Sequence, residues 1–261
     1  LDARGNTDSS LNLQPSSLSP GGAVEISAAN ELQHVGLNNV TLGQGGTLLL
    51  DPKNITITDS PGSWAFSAIL GLGDGSDSDV SALDDDDQFG SSVSFNGAAD
   101  RLAVGARRDD GAGNAASDTG AAYLFSFTDT NFNGGTLVST LGKGYTGGKN
   151  VNVANLEDSD LFGSAVSLNA AGDRLAVGAF GDDGAGNEAN VSGAAYLFSF
   201  TNTDFDGGTL ESTIGKGYSG TKDVEVANLE DFDNFGNSVS LNGAGDHLAV
   251  GAQGDDGLAN D

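Results

Sequence analysis

Two short loops carry side chains suited to binding a hard metal ion. Each loop alternates oxygen-bearing side chains with other residues and closes on Gly-Gly, over residues 129–135 and 202–208. Calcium takes six to eight oxygen ligands, and oxygen side chains at positions 1, 3 and 5 with glycine at 6 begin an EF-hand-type loop. The predicted calcium ligands are Asp129, Asn131, Asn133, Asn202, Asp204 and Asp206. Position 12 is threonine in both loops, so a glycine-rich hairpin turn held by local hydrogen bonds is the alternative.

Two further sets of carboxylates recur along the chain. One lies in the sequence Asp-Asp-Gly-Ala-Gly-Asn, at 109–114 and again at 182–187. The weaker calcium ligands predicted from it are Asp109, Asp110, Asp182 and Asp183. The other set consists of acidic runs at 84–87, 157–160 and 230–233. Either set could bind calcium if folding brought the carboxylates together. The alternative is solvated acidic turns, which keep a repetitive sheet protein soluble.

The groups that common hydrolases use are scarce. The chain has no Cys, which excludes disulfides and thiolate nucleophiles, and its only histidines are His34 and His247. His247 stands where the repeated sequence elsewhere has arginine, so we expect it on the surface. Paired carboxylates for glycoside hydrolysis are plentiful, but they recur regularly, whereas an active site is usually a single constellation. We therefore expect no enzymatic activity, with a fragment of a carbohydrate-active enzyme as the minor alternative.

The carboxylates recur because the chain itself is repetitive. Phe-Gly pairs begin at residues 89, 162 and 235, always 73 residues apart, and residues 83–155 share 51 of 73 identities with the next 73. A shift of 146 residues also places 63–71 over 209–217. The predicted divisions are a separate segment at 1–59, a degenerate repeat tail at 60–82, repeat 1 at 83–155, repeat 2 at 156–228 and partial repeat 3 at 229–261.

Each full repeat contains four short β-type runs separated by turn residues. In repeat 2 the predicted strands are 164–169, 174–179, 194–200 and 209–214. Gly, Asn and Asp separate them, and no stretch shows the 3.6-residue period of a helix. The pattern predicts an all-β chain of β-propeller-type blades, each a four-stranded antiparallel sheet formed by one 73-residue repeat. A linear solenoid is the competing architecture.

The repeated sequence resembles a known family. FGSAVSLN followed by DRLAVGA, over 162–179, and GAAYLF at 193–198 resemble FG-GAP repeats. These are the blade repeats of integrin α-subunit propellers and of many bacterial surface proteins. The resemblance covers about residues 60–261. Integrin-type repeats carry a calcium loop between the first two strands, but here residues 169–173 hold too few carboxylates for one, so that site is not carried over.

The first region resembles a different family. Residues 45–57, GGTLLLDPKNITI, are similar to a segment of filamentous-haemagglutinin-like exoproteins, which are exported by two-partner secretion. This resemblance implies a short β-helix-like segment ahead of the repeats. The runs 23–27, 31–35 and 39–42 fit its short rungs.

Charge and resemblance together indicate the kind of partner. The formal net charge is −27, which argues against nucleic acid and anionic lipid as partners, and no apolar run is long enough for membrane insertion. The resemblances imply a secreted or bacterial cell-surface protein for adhesion, with calcium as a stiffener and an extracellular protein or glycan as ligand. The alternative is a structural subunit of an extracellular filament or sheath, in which copies of the chain associate through open blade edges. Several aromatic residues are expected to pack in the core or between sheets, with a glycan-binding surface as the alternative: Trp64, Tyr123, Tyr145, Tyr196 and Tyr218.

Overall fold

The fold was derived from a computed structural model, which divides the chain into two compact units, Leu1–Ala65 and Phe66–Asp261. The structure describes residues 23–31, 47–54, 70–71, 78–129, 132, 134–187 and 189–257. All described regular elements are strands; no helix occurs among these residues.

The N-terminal unit contributes one pair of parallel strands to the described part of the chain. β1 (Ala23–Glu31) pairs with β2 (Thr47–Asn54), and the register places Val24 beside Leu48 and Ile26 beside Leu50. The predicted rung at 23–27 lies in β1, whereas the one at 39–42 and most of the one at 31–35 lie outside the described residues. The β-helix-like segment therefore stays a prediction.

The C-terminal unit consists of fourteen strands within its described residues. They are β3 (Leu70–Gly71), β4 (Ser78–Asp79), β5 (Phe89–Phe95), β6 (Arg101–Ala106), β7 (Ala121–Ser126), β8 (Thr136–Gly142), β9 (Val151–Asn152), β10 (Phe162–Leu168), β11 (Arg174–Ala179), β12 (Ala194–Ser199), β13 (Thr209–Gly215), β14 (Val224–Glu225), β15 (Phe235–Leu241) and β16 (Leu248–Ala252).

Each full repeat folds into one sheet. Repeat 1 forms β5-β6-β7-β8-β9, repeat 2 forms β10-β11-β12-β13-β14, and repeat 3 contributes β15-β16. Four strands run antiparallel in succession, and the two-residue fifth strand pairs parallel with the fourth. The four predicted strands of repeat 2 coincide with β10–β13 to within two residues. The prediction of four-stranded sheets was wrong by one strand, because β14 is too short to show a periodic pattern.

The Phe-Gly pair marks an irregularity at the start of each repeat. In β10 the register shifts between Phe162 and Ala165, and Gly163 has φ +88°, a conformation that glycine adopts without strain. The same shift occurs in β5 and β15. The ring of Phe162 packs edge-on against Tyr196 and Phe198 of its own sheet, at centroid distances of 5.4 and 6.0 Å.

Successive sheets stack face to face, large side chains against small ones. Val166, Val177 and Tyr196 lie side by side on one face of repeat 2. They belong to the same buried cluster as Ala103 and Ala122 of repeat 1. The main-chain N–H groups of Val166 and Leu168 also donate to Ser92 Oγ and Ser94 Oγ, each at 3.0 Å.

The backbones themselves touch at glycine. A Cβ atom added to Gly105 of repeat 1 would lie 1.9 Å from the carbonyl oxygen of Gly163 in repeat 2, and one added to Gly178 would lie 1.9 Å from that of Gly236. The two joints, between repeats 1 and 2 and between repeats 2 and 3, are therefore built alike.

The strands β3 and β4 pair in the same way as the fourth and fifth strands of the full repeats. The Val80 N–H donates to the Gly71 carbonyl at 2.9 Å, just as Val226 donates to Gly215 at 3.0 Å. Val80 precedes Val226 by 146 residues, but Gly71 precedes Gly215 by only 144. The degenerate repeat tail at 60–82 stays a prediction, but the gap-free register of 63–71 over 209–217 is off by two residues at Gly71, because the loop after it is two residues shorter.

Candidate functional site

Each full repeat buries a carboxylate at the turn that follows its second strand. Asp109 follows β6 and Asp182 follows β11, and they are 1% and 2% exposed. One oxygen of each accepts the main-chain N–H two residues later: Asp109 Oδ1 from Gly111 at 2.8 Å and Asp182 Oδ1 from Gly184 at 2.7 Å. This local bond orients the carboxylate, which points its other oxygen into the sheet.

Two buried tyrosines complete the surroundings of this carboxylate. In repeat 2 the Tyr196 hydroxyl donates to Asp182 Oδ2 at 2.5 Å, and the Tyr218 hydroxyl lies 2.8 and 3.0 Å from the two oxygens. In repeat 1 the hydroxyls of Tyr123 and Tyr145 contact Asp109 in the same way. All four tyrosines are buried, as the favoured core-packing interpretation predicts, and this rules out the glycan-surface alternative for them; Trp64 lies outside the described residues.

A second buried carboxylate lies in the acidic run before each Phe-Gly pair. Asp160 Oδ2 accepts the main-chain N–H of Glu157 at 2.7 Å, and Asp87 and Asp233 make the equivalent bond. Burial raises the pKa of Asp160 to about 8, and the neighbouring negative charge of Asp182 adds to this effect. Burial likewise raises the pKa of Asp87 to about 6, with a smaller contribution from Asp109. Folding thus brings the first Asp of the Asp-Asp-Gly-Ala-Gly-Asn sequence close to the buried Asp of the acidic run in the same repeat.

The pKa values of the tyrosine-bound carboxylates are also raised. Burial is the main cause for Asp109 and Asp182, and it outweighs the hydrogen bonds from the tyrosines, which favour the ionised form. In repeat 3, Asp233 and Asp255 line an open cavity of about 180 Å³ together with Val226 and Leu229. Within the described residues no tyrosine hydroxyl reaches Asp255, whose Oδ1 accepts the Gly257 N–H at 2.8 Å.

Asp110 and Asp183, also predicted as weaker calcium ligands, have a different role. Asp110 Oδ1 accepts the N–H of Asp118 at 2.7 Å, and Asp183 Oδ1 accepts that of Val191 at 2.6 Å. These bonds close the loop between the second and third strands of each sheet. The two adjacent aspartates therefore diverge: the first binds tyrosines and the second holds its own loop.

The calcium loop predicted in repeat 2 lies at the joint with repeat 1. Asp204 Oδ1 accepts Arg101 Nη2 at 2.6 Å, and Asp206 Oδ1 pairs with Lys149 Nζ at 2.9 Å. Asn202 bonds within the loop, donating to Asp206 Oδ2 at 2.8 Å and accepting the Asp204 N–H at 2.9 Å. The hydrogen bond from Lys149 lowers the pKa of Asp206, and the one from Asn202 adds to this. The local bonds of the hairpin-turn alternative are present.

In repeat 1, Asn131 and Asn133 lie outside the described residues, and Asp129 stands at the beginning of the same loop. No cluster of three or more His, Cys, Asp or Glu side chains that could hold a metal ion is found in the part of the chain that the structure describes. Calcium binding remains a prediction for both loops.

Two segments of the chain, 64–125 and 154–198, match the FG-GAP repeat family. These matches support the resemblance of the repeated sequence to the FG-GAP family. None of the curated proteins matches the chain. The FG-GAP segments contain Asp109, Tyr123, Asp160, Asp182 and Tyr196, so most of the buried network lies within them. The haemagglutinin-like resemblance at 45–57 lies outside both segments and stays a prediction.

The repeats also expose a different set of carboxylates. Asp85, Asp158 and Asp231 occupy equivalent positions 73 residues apart, and all three are exposed. Each lies two residues before a buried partner, Asp87, Asp160 or Asp233. In the described residues, no helix is long and apolar enough to cross a bilayer.

The chemistry of the two sets differs accordingly. The buried carboxylates accept hydrogen bonds from protein donors, so they stabilise the loops. The exposed ones face solvent, and Asp158 Oδ1 also accepts the Ser117 N–H at 3.1 Å. The sequence analysis missed the tyrosine–aspartate network, although a signal was present. A tyrosine in a strand that is apolar on both faces needs a partner for its hydroxyl. In each full repeat, the first Asp of an Asp-Asp-Gly turn lies 14 residues before that tyrosine.

Proposed function

We propose that this chain is a non-enzymatic binding protein, secreted or at the cell surface, whose FG-GAP repeats form β-propeller blades that act in adhesion. The observation that carries the proposal is the pair of FG-GAP matches on two sheets of the same topology, stacked face to face. The proposed ligand is an extracellular protein or a glycan.

The proposed binding surface is the row of exposed acidic loops before the Phe-Gly pairs. Asp85, Asp158 and Asp231 recur in this row, whereas the adjacent buried carboxylates hold the loops in shape. A row of like charges attracts a partner with basic groups, and calcium could bridge it to an acidic glycan. The net charge of −27 likewise favours a partner with basic groups.

The test is a binding screen of the full chain against immobilised extracellular proteins and glycans, with and without calcium. For any partner found, the triple variant Asp85→Asn, Asp158→Asn, Asp231→Asn should weaken binding about tenfold or more, since it removes charges at the proposed surface. The control is Glu225→Gln with Asp246→Asn, which removes two exposed charges outside these loops.

Two results would count against the proposal. If no protein or glycan in the screen binds, the adhesion function has no support. If a partner binds but the control weakens it as much as the triple variant does, the binding surface lies elsewhere. Hydrolysis of a polysaccharide by the chain would instead favour the enzyme alternative.

A further inference from the structure

The loop between the third and fourth strands of repeat 2 is held by two cations of repeat 1. Arg101 Nη2 donates to Asp204 Oδ1 at 2.6 Å, and Arg101 Nε donates to the Thr203 carbonyl at 2.6 Å. Lys149 Nζ lies 2.9 Å from Asp206 Oδ1 and donates to the Asp204 carbonyl at 2.6 Å. Each cation therefore binds both a carboxylate and the main chain of the same loop.

The guanidinium of Arg101 is also fixed by its own repeat. Its Nη1 donates to the Asp100 carbonyl at 2.8 Å and lies 3.3 Å from Asp100 Oδ2. An ion pair between exposed side chains contributes little, because water and salt screen it and two long side chains must be ordered. The Arg101 side chain is only 12% exposed and makes several hydrogen bonds, so both of these costs are smaller at this joint.

The equivalent lysines of the two repeats have different partners. In repeat 2, Lys222 Nζ pairs with Glu211 of its own sheet. Repeat 1 has Val138 at the position of Glu211, and Lys149 pairs across the joint with Asp206. Two sheets of closely similar sequence therefore use the same lysine differently, and single charged residues account for the difference.

The loop also differs between the repeats. Repeat 1 has asparagine at both positions where repeat 2 has Asp204 and Asp206. The strand β4 lies against β8 of repeat 1, and the residue two positions before β4 is Ser76. In repeat 1 itself, Lys149 stands two positions before β9. The loop therefore carries the two carboxylates where the neighbouring strand is preceded by lysine, and asparagines where it is preceded by serine.

We propose that these charges make the joint between repeats 1 and 2 selective, so that the loop of repeat 2 accepts the surface formed by Arg101 and Lys149 and rejects a neighbour without it. Serine and glycine contacts do not distinguish neighbours, because both joints contain them. Repeats that share 51 of 73 residues are prone to stack on the wrong neighbour during folding. Complementary charges suppress such wrong pairings.

Reversing the charges on one side of the joint tests this selectivity. The surface-reversed variant carries Arg101→Glu and Lys149→Glu. The loop-reversed variant carries Asp204→Lys and Asp206→Lys. Each should lower the equilibrium constant for folding about tenfold or more, because like charges then meet across the joint. The variant with all four substitutions should be more stable than either reversed variant, since the ion pairs form again with opposite polarity.

A neutral loop separates selectivity from a simple loss of bonds. Asp204→Asn with Asp206→Asn gives repeat 2 the residues that repeat 1 has at these positions. In this background the surface reversal should lower the folding equilibrium constant by a factor at least about threefold smaller than in the wild-type background, because no carboxylate opposes the introduced glutamates.

Urea unfolding of the full chain measures these changes. It is carried out in EDTA, so that calcium makes no contribution, and at about 0.01 M ionic strength, where the Debye length is about 30 Å. The control is Asp85→Lys with Glu225→Lys, which makes the same change in net charge at exposed positions outside this joint. The control should not destabilise the chain, because at a net charge of −27 it relieves repulsion. A loss in the loop-reversed variant therefore has the opposite sign to the general effect of charge.

Three results would overturn the proposal. The first is a loop-reversed variant as stable as the control. The second is a variant with all four substitutions that is no more stable than the reversed variants, and this comparison also decides the matter if a reversed variant does not fold. The third is a surface reversal that costs as much with the neutral loop as with the wild-type loop.

Discussion

At the scale of single residues, the buried Asp–Tyr–Tyr group is the feature that sets these sheets apart from a purely apolar core. A carboxylate with 2% exposure is costly to bury unless donors compensate it, and Asp182 has three of them, from Tyr196, Tyr218 and Gly184. The network links the turn after the second strand to the third strand and to the turn after the fourth. One side-chain cluster thereby fixes three segments of the repeat.

Replacing Tyr196 with Phe should destabilise the chain by about 1–3 kcal/mol, because Asp182 loses one donor while it remains buried. Urea unfolding at neutral pH measures this loss. A double-mutant cycle with Asp182→Asn provides the control: the two losses should be strongly non-additive if the hydroxyl acts through this carboxylate. Additive losses would show that the hydroxyl stabilises something else.

The second carboxyl, Asp160, should make stability depend on pH. Its pKa is about 8 in the folded chain against 3.8 in its ordinary state, so the folded chain binds the proton more tightly. Its contribution is therefore most favourable below about pH 4, is lost as the pH rises towards 8, and is constant above that, with a slope approaching about 1.4 kcal/mol per pH unit.

Asp160→Asn should remove this part of the pH dependence and stabilise the chain at pH 8, since the amide keeps an acceptor for the Glu157 N–H. Thermal unfolding from pH 4 to 9 provides the measurement. Asp158→Asn is the control, because it removes an equal charge from an exposed position in the same loop. If the two variants show the same pH profile, the dependence reflects overall charge and not the buried carboxyl.

At the scale of elements, the sequence predicted strands better than it predicted how sheets meet. Turn residues and β-type runs were enough to locate β10–β13. β12 is apolar on both faces, which implies that both are covered, and its residues lie in the buried core. It could not show that one face carries large side chains and the other small ones in contact with a neighbouring backbone, because that asymmetry appears only once the strand register is known. The register of the tail failed for a similar reason, since a two-residue deletion leaves no mark in so short a match.

The close approach at glycine gives a prediction for the joint. Gly178→Ala should destabilise the chain by about 3 kcal/mol, because its Cβ would lie 1.9 Å from the Gly236 carbonyl oxygen and the sheets would have to separate. Gly243→Ala is the control, since its Cβ would meet Ala170 at an ordinary 3.6 Å, and we expect a change within about 0.5 kcal/mol. Urea denaturation of both variants measures the change in the free energy of unfolding. Equal changes would mean that the sheets can move apart enough to accommodate the added methyl group at Gly178.

At the scale of the whole molecule, charge opposes compactness. A formal charge of −27 with only ten basic residues leaves most carboxylates without a cationic partner, and two of those cations, Arg101 and Lys149, bind the 202–206 loop. This repulsion follows from composition alone. The placement of those cations depends on the stacking of repeats 1 and 2, so it could not be derived from local sequence.

Salt and calcium should therefore stabilise the chain by separable amounts. Raising ionic strength from about 0.01 to 0.15 M shortens the Debye length from about 30 to 8 Å, so sodium chloride should raise the melting temperature by screening. Calcium at matched ionic strength should raise the melting temperature further if the predicted loops bind the ion, because each site adds about 2.7 kcal/mol of stability at 100 times the dissociation constant.

Magnesium at the same concentration controls for divalent screening. Asp206→Asn should abolish the excess due to calcium in repeat 2 while leaving the sodium effect in place. Equal stabilisation by calcium, magnesium and sodium would reduce the role of calcium to screening, and an excess that survives Asp206→Asn would place the ion at another set of carboxylates.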